Sequence, residues 1–91
     1  MIGLMIVDDE EGVRRSLKKA LEKDGYAVHM AEDGNAAIQT VRERTNDIET
    51  VISDFRMPGI DGLETLAEIG RINPEITRIM LTGYATMESA I

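Results

Sequence analysis

The chain has 91 residues, 43% apolar and 30% charged, which suits one globular domain at most. A formal net charge of −7, with no basic patch in the sequence, argues against direct binding of a nucleic-acid backbone or an anionic membrane surface. There is no cysteine for a disulfide or a thiolate metal site, and no apolar run nears the roughly 20 residues of a membrane-spanning helix.

The first apolar stretch, Leu4 to Val7, is short and runs straight into Asp8-Asp9-Glu10-Glu11, unlike a signal peptide. A cytoplasmic protein is expected. A continuous apolar run of this length, bounded by Gly3 and Asp8, predicts a strand buried on both faces. Val13, Leu17 and Leu21 then recur on one helical face, with Glu10 and Glu11 in the first turn and Gly25 placed as a C-terminal cap. The basic residues of this helix, Arg14, Arg15, Lys18 and Lys19, read as a solvated face.

Ala27 to Ala31 predicts a second strand, with the lone histidine, His29, as a surface or filler residue. Asp33-Gly34-Asn35 is a turn and cap signal, and Ala37, Ile38 and Val41 mark a second helix ending near Asn46. Thr50 to Ser53 is the third strand, rich in β-branched residues. After the Met57-Pro58-Gly59 turn, Leu63, Leu66, Ile69 and Ile72 mark a third helix, capped by Asp61 and stopped by Asn73-Pro74. Gly70 inside it costs about 1 kcal/mol relative to alanine, with no reason visible in the sequence. Ile76 to Leu81 is the fourth strand, Thr82 to Thr86 a loop, and Met87 to Ile91 the start of a helix. Aromatics are scarce, so the core is aliphatic, with Met5, Met30 and Met80 expected inside it.

Alternating strands and helices predict an α/β fold, a parallel sheet with helices on both faces. Such sheets bind ligands at the carboxyl ends of their strands. Asp8, Asp9, Asp54 and Thr82 all fall there. Each alone has a bland reading: a solvated loop, an Asx-turn before the proline, a cap hydroxyl. Together they describe a pocket lined by oxygen, suited to a hard divalent cation such as Mg2+. Converging carboxylates repel one another until a cation joins them. A carboxylate so held can attack phosphorus to form an aspartyl-phosphate, with the Thr82 hydroxyl donating to the phosphoryl oxygens.

The runs Ile6-Val7-Asp8-Asp9-Glu10, Asp54-Phe55-Arg56-Met57-Pro58-Gly59-Ile60-Asp61-Gly62 and Leu81-Thr82-Gly83-Tyr84-Ala85 resemble a bacterial response-regulator receiver domain of two-component signal transduction. The match runs in order along essentially the whole chain, and its last loop looks most like receivers of sigma-54-dependent activators. The resemblance implies a flavodoxin-like doubly wound sheet in strand order 2-1-3-4. It implies that Asp54 is the phosphoacceptor, supplied by a sensor histidine kinase. It further implies that Asp9 binds Mg2+ directly, that Asp8 supports it, that the main-chain carbonyl of Arg56 is another ligand, and that Thr82 is the switch hydroxyl. Signal would pass to an output domain or partner.

A receiver of this family has five βα units, whereas this sequence stops in the fourth. The expectation is therefore a single receiver domain, 1–91, C-terminally truncated, without the fifth strand, its lysine, the switch aromatic or the last helix. The fourth strand then becomes an edge, and Ile79, Met80 and Leu81 are expected to be bare and to drive self-association into a homo-oligomer. Two other readings remain open. A phosphatase resembling haloacid dehalogenases also uses a strand-end aspartate, but it wants an acid where Arg56 stands. A phosphorylation-independent interaction module derived from a receiver would work through its exposed faces alone.

Overall fold

The computed structural model describes residues 1–81. Strands β1 (Gly3–Val7), β2 (Ala27–Ala31), β3 (Thr50–Asp54) and β4 (Thr77–Leu81) alternate with helices α1 (Glu11–Lys23), α2 (Gly34–Arg44) and α3 (Gly62–Ile72). The strands form one parallel sheet in the order β2-β1-β3-β4, the flavodoxin-like doubly wound arrangement expected from the resemblance. Helices α2 and α3 pack on one another and on the sheet, while α1 packs on β1 and β2.

Side chains alternate across a strand, so each face can be read along the pairing register. Met5, Val7 and Val51 point into the main core with Ala37 and Val41 of α2 and Leu66 and Ile69 of α3. The other face carries the row Ile6, Ile52, Ile79, paired from β1 through β3 to β4. Exposure climbs along it: Ile6 is 1% exposed, Ile52 half-buried, Ile79 42% exposed. This gradient measures how far α1 reaches. It shields β1 and leaves β4 open among the described residues, and its own stripe of Val13, Leu17 and Leu21 is only half-buried.

Local signals explain the helix ends. The Asp33 carboxylate accepts the Ala36 N–H (2.8 Å) and the Asp61 carboxylate accepts the Glu64 N–H (2.8 Å), each satisfying one of the open donors of a helix start. Gly25 sits at φ +91°, in the left-handed region that favours glycine, just after the α1 cap residue Asp24. The chain then leaves α3 at Asn73, whose N–H donates to Ile69 O (2.9 Å).

Several expectations need correction. Helix α2 ends at Arg44, and Thr45–Asp47 form a separate 3-10 turn that includes Asn46. Glu10 is the residue before α1 rather than part of its first turn. β4 begins at Thr77, with buried Ile76 in the preceding turn. Met30 is 40% exposed rather than core, because β2 is an edge strand and α1 does not cover its outer flank. Met80 is half-buried against the core, so of the three apolar residues expected to be bare on β4, Ile79 and Leu81 (44%) are. Gly70 now has a reason: the Arg78 side chain crosses it, and a Cβ there would run into the guanidinium that donates to Leu66 O (3.2 Å).

Candidate functional site

The strand that leads into the site is set by burial. All five residues of β1 are buried, so the chain can turn polar only at its end. Asp8 is itself still buried, and its N–H donates to Ala31 O (3.2 Å) as the last rung toward β2. Its carboxylate accepts the Glu10 N–H (2.9 Å), and its carbonyl accepts Nη1 of Arg14 (2.7 Å). Asp9 follows in the open, exposed to solvent.

Asp54 closes β3, beside β1, and is half-buried. Its carbonyl accepts the hydroxyl of fully buried Ser53 (2.9 Å). The chain then bends sharply. Phe55 N–H donates to Leu81 O (3.2 Å) and Phe55 O accepts the Gly62 N–H (2.8 Å), so the loop from Arg56 to Asp61 is pinned at both ends. Gly62 lies so close beneath that a Cβ would run into the Asp54 carbonyl.

The topology puts β1 and β3 side by side, and that brings the acids together. Oxygen atoms of Asp8, Asp9 and Asp54 lie within 4.8 Å of one another. Burial at the strand end pushes the Asp54 carboxyl above its ordinary value. The charges of Asp8 and Asp9 push it the same way, while the Phe55 N–H and the Arg56 guanidinium oppose them. A group of hard oxygens that repel one another in this way fits a hard dication, with room for water ligands on the side of exposed Asp9.

Of the residues singled out from the sequence, the structure brings Asp8, Asp9 and Asp54 together and places Arg56, exposed, two residues past Asp54. Thr82 lies outside the described residues; the residue before it, Leu81, is the register partner of Asp54. The helix proposed from Met87 to Ile91 also lies outside them. Three contributors escaped sequence reasoning. Ser53 and Gly62 act on the main chain of Asp54 and Phe55, and only the short step from strand to turn hints at them. Arg14, read as part of a solvated face, is instead half-buried and bonded to Asp8. Arg15 and Lys19 are exposed and do fit that reading, Arg15 in a loose pair with Glu11 (3.9 Å), while Lys18 is half-buried and pairs loosely with Glu22 (4.0 Å).

Comparison with known proteins points one way. Residues 4–91 match the model of the response regulator receiver domain. The chain is 38% identical over 90 residues to the transcriptional regulatory protein ZraR of Escherichia coli O157:H7, covering 99% of this chain but 20% of that protein. It thus spans a fifth or less of the curated relatives that it matches first. Among solved structures, a receiver domain protein from Clostridium thermocellum superposes with a TM-score of 0.90 at 32% identity, over 99% of this chain and 71% of that one. The response regulator TrrA of Thermotoga maritima, solved in complex with Mg2+-BeF, superposes at 0.85 with 35% identity, over 100% and 77%. TrrA has also been solved in complex with the histidine kinase ThkA.

Proposed function

The chain belongs to the response regulator receiver domain family, and on that premise we propose that it receives a phosphoryl group on Asp54 from a sensor histidine kinase. The observation that carries this reading is the meeting of Asp54 with Asp8 and Asp9 at the carboxyl end of the sheet. An oxygen of Asp54 attacks phosphorus, the bond from phosphorus to the kinase imidazole breaks, and the imidazole keeps the electron pair. Asp9, Asp54 and the main-chain carbonyl of Arg56 would hold Mg2+, with buried Asp8 in support. When bound, that ion would neutralise the charge that otherwise keeps an anionic carboxylate from an anionic phosphoryl group. The Thr82 hydroxyl would donate to the phosphoryl oxygens.

Residues 1–91 then act as one cytoplasmic signalling domain. It assists its own phosphorylation and dephosphorylation and relays a change of shape to an output domain or partner. The net charge of −7 speaks against nucleic acid as a direct ligand. No helix among the described residues is long and apolar enough to cross a membrane. A second copy of the chain would pair along β4. The Arg56 position and the receiver match both speak against a phosphatase of the haloacid dehalogenase type.

Incubation with acetyl phosphate and Mg2+, followed by intact mass, tests the central claim. One added phosphoryl group is expected, lost in Asp54→Ala and lost when EDTA replaces Mg2+. Equal labelling of Asp54→Ala would overturn the assignment. No labelling of the parent would favour a module that works by its exposed faces alone.

A further inference from the structure

We infer that Arg14 is a positioning residue for the acidic loop, acting through the peptide group between Asp8 and Asp9. Its Nη1 donates to the Asp8 carbonyl at 2.7 Å. That carbonyl and the Asp9 N–H belong to one rigid plane, so whatever fixes the oxygen fixes the direction in which Asp9 leaves the strand. The Asp8 carboxylate is fixed separately by the Glu10 N–H at 2.9 Å. Arg14 is itself anchored in the first turn of α1, where its N–H donates to Glu10 O at 3.1 Å. The loop is therefore held from a helix, a stiffer support than another loop would give. A guanidinium donating to a carbonyl is also a charge-assisted bond, stronger than a neutral one.

The inference rests on the Mg2+ site proposed above, and it gives a signed prediction. A bystander cation beside three carboxylates only repels a metal ion, so removing it would tighten Mg2+ binding. A positioning residue does the reverse. In Arg14→Met, calorimetric titration with MgCl2 is expected to show affinity weakened on the order of tenfold, the low end for partners that orient metal ligands. Arg14→Lys keeps a donor and a charge and is expected to recover most of the loss.

Amide hydrogen exchange of the metal-free full chain gives a second readout. The Glu10 amide is expected to exchange faster in Arg14→Met than in the parent, with the core amides of β1 unchanged. Unchanged or tighter Mg2+ binding by a folded Arg14→Met overturns the inference. If the parent itself binds no Mg2+, the metal reading has failed, and unchanged Glu10 exchange then overturns the role of Arg14 as well. Should Arg14→Met not fold, Arg14→Gln, uncharged and too short to reach the carbonyl, is measured in the same way with the same expected losses.

Discussion

Asp54 is strained electrostatically in the metal-free protein. Its carboxyl is held above its ordinary value by burial and by Asp8 and Asp9, so the folded state binds its proton more tightly than the unfolded state does. Its contribution to stability is therefore full below the ordinary aspartate range and is lost as pH rises through the raised value. Asp54→Asn removes the ionised form. In EDTA at about pH 7 it is expected to gain on the order of 1 kcal/mol, the scale of two unit charges about 4 Å apart in water. The gain should vanish at about pH 3, below the usual aspartate value. Urea unfolding at both pH values measures it, and a gain that persists in acid would have to come from packing. The acids were legible in the sequence because each ends an apolar run, and a buried parallel strand delivers its last residue to the ligand edge. Arg14 was not legible. Its acceptor is a main-chain carbonyl six residues earlier, and no side-chain pattern records such a bond.

Between elements, the decisive contact is the start of α3 against the end of β3. Gly62 donates its N–H to Phe55 O while a Cβ would meet the carbonyl of Asp54 and the Cα of Phe55. The obstacle is backbone, which cannot rotate away. Gly62→Ala is expected to cost about 1–3 kcal/mol, as overpacking does, and to lower phosphoryl labelling of Asp54 by displacing its peptide. Gly12→Ala on α1, where a Cβ meets nothing, is the control and should gain up to about 1 kcal/mol. Urea denaturation and intact mass read both; equal effects of the two substitutions would refute the contact. Elements of this kind were readable from caps and periodicity, as Asp33 and Asp61 show. What remained hidden depends on neighbours distant in sequence. Met30 looked like core until β2 proved to be an edge, and Gly70 was unexplained until Arg78 was seen to cross it.

At the scale of the whole molecule, shielding is lopsided. Among the described residues, one face is closed by α2 and α3, and the other is closed by α1 only as far as β1. β4 pairs with β3 alone among the described residues, and its Ile79 and Leu81 are bare. An open strand edge flanked by apolar side chains is a template for another chain. Light scattering coupled to size exclusion is expected to show a self-associated species, and Ile79→Lys should shift it toward monomer. A monodisperse parent monomer would refute this. The same sheet order has a consequence during synthesis. β1 leaves the ribosome first, yet both of its neighbours, β2 and β3, are made later, the second not before residue 54. The nascent chain thus carries its most water-averse strand half-paired from the completion of β2 until β3 is made, and chaperone contact with the newborn domain should fall away only once Thr50–Asp54 has emerged.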